Sequence, residues 1–157
     1  MPNSPHETIL IASDHAGFEL KEKLEEELKS LGYAVNDLGP SDERSVDYAD
    51  FAHDLAKRVS ADETQRGILL CGTGLGMSYT ANRYPHVRAA VAWSSEIAGL
   101  AREHNDANVL VLPARFVDEA EGKAILKVWL ETPFAGGRHA RRVAKIERDD
   151  HSTEESR

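Results

Sequence analysis

The chain alternates short apolar runs with amphipathic stretches, and no other feature of it constrains the fold more. ILIAS (Ile9–Ser13), YAVNDLG (Tyr33–Gly39), GILLC (Gly67–Cys71), RAAVAW (Arg88–Trp93) and NVLVL (Asn108–Leu112) read as buried strands. Leu20, Leu24, Leu28 and Leu31 recur at helical spacing, with Lys and Glu between them, and Gly32 is placed to end that helix. Further helices are expected over Tyr48–Val59, around Tyr79–Arg83 and from Ser94 or Ser95 to Arg102. Two more are expected over Asp118–Leu130 and from Arg138 onward. Strands apolar along their whole length need cover on both faces, and strand–helix alternation makes them parallel. The expected fold is α/β, a three-layer α/β/α sandwich on a five-stranded parallel, Rossmann-like doubly wound sheet. Sheets of this kind bind ligands at the carboxyl ends of their strands.

The 157 residues suit one domain. Residues 8–146 form it in this reading, between a flexible N-terminus (1–7) and a polar tail (147–157) expected to be disordered. The net charge of −8 speaks against nucleic acid and against anionic membranes. No apolar run approaches the roughly 20 residues of a membrane helix, and MPNSPHE does not read as a secretory signal. A single cysteine, Cys71, excludes an internal disulfide and thiolate-cluster zinc sites. A cytoplasmic location is expected.

Two segments fall at the carboxyl edge. SDHAGF (Ser13–Phe18) follows the first strand and puts Asp14 and His15 at its tip. CGTGLGMS (Cys71–Ser78) follows the third and offers backbone N–H groups to an anion. Gly72 and Gly74 fit a dinucleotide fingerprint, but Met77 stands where its last glycine belongs. A phosphate-binding NTPase loop would close on Lys, and a cysteine phosphatase would have Arg at Met77. What remains is a cysteine at a strand tip followed by a nest of amides. A thiolate is favoured near a helix N-terminus. Beside an anion hole it suits proton abstraction next to a carbonyl, the amides holding the enediolate. The plainer reading of a lone cysteine is a small buried hydrophobe. Asp14 could equally cap a helix, and His15 could be a solvated loop residue.

Two further clusters are polar. His104, Asn105 and Asp106 stand between a helix and the fifth strand, where a helix end and turn would also place them. In FAGGRHARR, Gly136 and Gly137 open a helix that carries Arg138 and Arg142 on one face. Two guanidiniums near a helix start suit a phosphate, and a solvated basic face would look the same.

Together the stretches IASDHAGFELK, DYADFA, GILLCGTGLGMSYTANR, RAAVAW, AREHNDANVL and FAGGRHARRVAKIE closely resemble the type B ribose-5-phosphate isomerase family. That family includes the galactose-6-phosphate isomerase subunits. The resemblance implies an aldose–ketose isomerase that needs no metal or cofactor and works through an enediolate. By position it makes Cys71 the base between C1 and C2. Thr73 and the amides of Gly72, Gly74, Leu75 and Gly76 become the hole for the enediolate, so the glycine loop would not hold the phosphate. His104 becomes the group that opens the furanose ring, and Asp14 and Asn105 hydroxyl ligands. His15, Arg138 and Arg142 become the phosphate clamp, with Tyr48 lining the sugar pocket. Some relatives place a Glu at the position of Met77; Cys71 with Met77 matches the cysteine-base branch.

The expected partner is a phosphorylated sugar, ribose 5-phosphate first. Allose 6-phosphate, galactose 6-phosphate and a tetrose phosphate are alternatives, as is a non-catalytic sensor on the same fold. Topology implies more. Cys71 and Asp14 belong to the carboxyl edge of the sheet, whereas His104 and Asn105 precede the fifth strand and belong to the amino edge. If all four serve one reaction, a homodimer with shared active sites is expected, and pairing into a dimer of dimers is left open.

Overall fold

The computed structural model describes residues 7–62 and 65–148. In chain order the elements are β1 (Thr8–Ser13), α1 (Phe18–Ser30), β2 (Ala34–Asp37), α2 (Tyr48–Ala61), β3 (Arg66–Cys71) and α3 (Leu75–Ala81). Then come β4 (Ala89–Val91), α4 (Ser95–Asn105), β5 (Val109–Pro113), α5 (Glu119–Glu131) and α6 (Arg138–Ala144). All strand pairs are parallel, in the order β2-β1-β3-β5-β4. The chain leaves β1 outward for β2 and returns past it to β3. The reversal makes the carboxyl ends of β1 and β3, where Ser13 pairs with Leu70, the switch point at which such sheets bind ligands.

Alternation along the strands builds two apolar layers. Ile9, Ile11, Ile68, Leu70, Leu110 and Leu112 point to one face, against Leu24 and Leu28 of α1, Ala98 of α4 and Leu126 and Trp129 of α5. Leu10, Ala12, Leu69, Cys71, Val109 and Val111 point to the other, against Leu55 and Val59 of α2 and Met77 and Ala81 of α3. The three expected layers are present. α6 buries no residue and rests on α4.

Several boundaries differ from the sequence reading, and three of them bear on the site. The third helix begins at Leu75 rather than near Tyr79. Gly74 takes a left-handed conformation, φ +79°, that turns the chain straight into α3. A Cβ there would also crowd Val91 and Val111, at 3.2 and 3.3 Å. The fourth helix is capped by the Ser94 side chain, which accepts from Ile97 N. It runs past Arg102 to Asn105 and ends where Asp106 turns left-handed at φ +50°. His104 and Asn105 are therefore helical. The fourth strand shrinks to Ala89–Val91 at the sheet edge, with Ala89 bonded to the Asn82 side-chain amide.

The flexible ends expected at 1–7 and 147–157 lie outside the described residues, apart from 7, 147 and 148. Glu7 accepts from Ala34 N and pairs with the buried Arg66 at 2.8 Å. Glu147 accepts from His86 N at 2.7 Å. No helix of the described residues is long and apolar enough to cross a membrane.

Candidate active site

The carboxyl ends of β1 and β3 gather one set of candidate residues. Asp14 continues β1, its N–H donating to Leu70 O at 3.1 Å. Its Oδ1 accepts from Gly17 N at 3.0 Å and so closes the turn into α1. Only glycine fits at 17, because a Cβ would lie 2.7 Å from Leu70 Cβ. Asp14 thus braces the turn ahead of α1, whose N-cap is Gly17 without a side-chain cap, and that bond fixes the carboxylate at the switch point. His15 Nδ1 accepts from Val46 N at 3.2 Å, which leaves the proton of the neutral ring on Nε2.

The glycine loop is held from two sides. Cys71 is buried, and its Sγ accepts from Gly74 N at 3.2 Å. The chain beyond β5 zips onto the loop: Ala114 N donates to Cys71 O at 2.8 Å and Arg115 N to Gly72 O at 3.0 Å. Thr73 Oγ1 accepts from the N–H of Leu75, itself half exposed at the start of α3. Tyr48, at the start of α2, lays its ring over Gly76, where a Cβ would come within 2.5 Å of Cε2 and Cζ. Asp14, His15, Tyr48 and the loop from Cys71 to Gly76 therefore form one constellation. Its chemistry is a sulfur acceptor beside several backbone donors, apt for moving a carbon-bound proton next to a charge-collecting hole.

The second set stands at the other edge. His104 and Asn105 end α4, and α6 lies against that end. Ala135 N donates to Glu103 O at 3.0 Å, tying the segment that leads to Arg138 onto α4. Gly136 and Gly137 have φ +65° and +56° with open space at each Cβ position, so the backbone turn explains them. Asn105 lines a cleft of about 360 Å³ with Asn82, Arg88, Ala101 and Ile146. The chain thus brings His104, Asn105, Arg138 and Arg142 together, but places them at the edge opposite Cys71.

Two residues were not singled out from the sequence. Arg115 lies across Gly72, whose added Cβ would sit 3.1 Å from Nη1 and 3.2 Å from Cδ. The signal was available, since Arg115 is two residues beyond β5 on the carboxyl edge. His139 stacks on His104, with ring centroids 4.4 Å apart and planes 11° from parallel. Desolvation, then the charges of His104, Arg138 and Arg142, hold His139 below the usual imidazole range, against Glu103. Nothing in GGRHARR marks that stacking.

Known proteins share this fold and much of this sequence. The family described as Ribose/Galactose Isomerase matches residues 9–146. The ribose-5-phosphate isomerase B of Escherichia coli (strain K12) is 39% identical over 138 residues, covering 88% of this chain and 93% of its own. A crystal structure of a ribose 5-phosphate isomerase from Thermotoga maritima superposes with a TM-score of 0.86 at 51% identity, covering 90% of this chain and 97% of that one. The Mycoplasma genitalium ribose-5-phosphate isomerase B, crystallised with bound ribulose-5-phosphate, gives 0.86 at 45% identity, covering 88% and 93%. On this sequence match along nearly its full length, joined to the common fold, the chain belongs to the ribose/galactose isomerase family.

Proposed function

We propose that the protein interconverts ribose 5-phosphate and ribulose 5-phosphate through an enediolate, in sites built by two subunits. The observation that carries this is the Cys71 thiol at the switch point, backed by Gly74 N–H and followed at once by the glycine loop that turns into α3. The ribulose-5-phosphate bound to the Mycoplasma genitalium relative supports the substrate.

The reaction divides into two stages. Ribose 5-phosphate arrives as a furanose, and His104 opens it. The ring oxygen gains a proton, the C1–O4 bond breaks, and the C1 hydroxyl loses its proton to leave an aldehyde. The Cys71 thiolate then takes the proton from C2. The C2–H electron pair forms the C1–C2 double bond, and the carbonyl pair collects on O1. Thr73 and the amides of Gly72 to Gly76 stabilise that oxyanion, the kind of contact worth roughly 2.7–4 kcal/mol per donor. A proton passes from O2 to O1, Cys71 returns its proton to C1, and the ketose results.

Asp14 and Asn105 hold sugar hydroxyls and Tyr48 closes the pocket over Gly76. His15, Arg138 and Arg142 hold the phosphate, with Arg115 as a further cation on the carboxyl edge. Because the two sets stand at opposite edges of one sheet, His104, Asn105, Arg138 and Arg142 come from the neighbouring subunit. A two-fold pair then carries two equivalent sites.

Turnover of a panel containing ribose 5-phosphate, allose 6-phosphate, galactose 6-phosphate and erythrose 4-phosphate tests the substrate. The highest kcat/KM is expected for ribose 5-phosphate. A higher value for a six-carbon or four-carbon substrate overturns that choice, and no turnover of any member overturns the enzyme reading.

A further inference from the structure

Lys21 has no task in the steps above, yet it is fully buried beside the site. Its ammonium donates to Asp37 Oδ2 at 2.6 Å and to Pro40 O at 3.1 Å. It lies 3.6 Å from Glu22, 4.0 Å from Glu25, and 5.1 Å from the centre of the Phe18 ring. Glu22, Glu25 and Asp37 are grouped closely enough to attract a metal ion, but the ammonium already supplies a cation among them. Asp37 Oδ1 accepts from Gly39 N at 2.8 Å, and Gly39 O accepts from Ser13 N at 3.0 Å. Lys21 and Asp37 thus fasten the start of segment 38–47, which joins β2 to α2. Most of that segment beyond Pro40 is exposed. Its far end meets the site twice: Val46 N–H donates to His15 Nδ1, and Tyr48 follows directly.

We propose that Lys21 is a positioning residue for the His15 and Tyr48 side of the site, and that the protonation of Glu25 sets how firmly it holds the segment. The inference rests on reading His15 and Tyr48 as substrate ligands.

The groups that face Glu25 are Lys21 and Glu22 from α1 and Asp37 from β2. Its side chain is only 14% exposed, and Oε1 is buried without a hydrogen-bond partner among the described residues. Burial, the hydrogen bond to Asp37 and the Asp37 charge push Glu25 up to about 7, against the pull of Lys21. Burial would raise Asp37 too, but hydrogen bonds from Glu25 and Lys21 outweigh it and hold that carboxyl below its usual range. Below neutrality the two carboxyls therefore share one negative charge, which matches the one positive charge of Lys21. As the pH rises past that point a second negative charge forms on the pair. Lys21 is then drawn toward Glu25 as well, its hold on Asp37 and Pro40 is divided, and the start of the segment loosens.

The test compares wild type with Glu25→Gln, which keeps a neutral amide where the protonated acid was. Amide hydrogen exchange of residues 39–47, in protein without ligand, reads the anchor directly. The KM for ribose 5-phosphate reads its effect on the site. Between pH 6 and 8 the ratio of KM values, wild type over Glu25→Gln, is expected to grow by about fivefold, within the tenfold per pH unit that one titrating group can supply. Exchange in the segment should diverge over the same range, with kcat following one profile in both proteins. Lys21→Met should show fast exchange and high KM at every pH. If wild type and Glu25→Gln keep a constant ratio in exchange or in KM, the proposal is overturned, even should Lys21→Met fail to fold. Failure of the underlying site reading looks different: His15→Ala would leave KM unchanged while the exchange difference persisted.

Discussion

Replacing Gly76 with alanine separates the site from the fold. The new Cβ would stand 2.5 Å from Tyr48 Cε2 and Cζ and 3.0 Å from Cδ2. Carbon atoms attract one another best at about 3.5–4.0 Å, so the ring must withdraw by at least about 1 Å. Withdrawal is easy, because Tyr48 is 44% exposed and opens α2, free to swing into solvent. Gly76 is itself helical, and alanine there favours the helix by about 0.5–1 kcal/mol. Gly76→Ala should therefore melt at the wild-type temperature or up to a few degrees above it. If Tyr48 closes the sugar pocket, kcat/KM for ribose 5-phosphate should fall by about tenfold, or 1.4 kcal/mol. The assay is a double-mutant cycle with Tyr48→Ala, followed by thermal melting and steady-state kinetics. Both changes act on one ring, so the double variant should match Tyr48→Ala alone. Wild-type kcat/KM in Gly76→Ala, or losses that add, would refute this role for Tyr48.

Cys71→Ala should keep its fold and lose isomerisation by on the order of 10²–10⁴ or more, as removal of a general base does; near-wild-type turnover would show that another group is the base. Cys71→Ala should also stop deuterium uptake from D2O at C1 of ribulose 5-phosphate, whose phosphorylated C5 oxygen keeps it open-chain, whereas His104→Ala should retain that uptake while losing conversion of the furanose; equal loss in both would remove the ring-opening role. Arg138→Ala and Arg142→Ala should each raise KM by about tenfold or more, since a charge-assisted contact contributes roughly 1.5–3 kcal/mol, and unchanged KM in both would leave them as surface charge. Glu25 binds its proton more tightly in the folded chain, at about 7 against 4.5. Stability is therefore lost as pH rises through that window, and the melting temperature of Glu25→Gln should gain on wild type from pH 5 to 8; a constant difference would contradict the shift.

The layers were legible because each strand is apolar along its length and each helix carries its stripe, as Leu24 and Leu28 do in α1. The glycine loop was legible because Cys71 ends an apolar run and the glycines follow at once. Topology alone put His104 opposite Cys71, and the chain does place α4's last turn at that edge. Strand order was not legible, since nothing within Ala89–Val91 says that it pairs with β5 rather than β3. The length of α4 was missed because its end depends on Asp106 adopting φ +50°, held by Arg102 at 3.0 Å and by Arg88 through the Asp106 carbonyl at 2.8 Å. Arg115, His139 and Lys21 share one reason for being overlooked. Arg115 meets Gly72, His139 meets His104 and Lys21 meets Asp37 and Pro40 only when distant segments fold together.

We propose that one reaction uses both edges of the sheet, through two chains. Mixing Cys71→Ala with His104→Ala in equal amounts tests it most directly. Each parent is impaired at both of its sites. In a mixed dimer one site collects both defects and the other collects neither. Random pairing makes half the dimers mixed, so about a quarter of the wild-type site activity should return. Mixed dimers can be isolated by two different affinity tags to show that they have formed. Recovery near a quarter supports the shared site; mixed dimers as inactive as their parents would place His104 in the same chain's site and contradict the account.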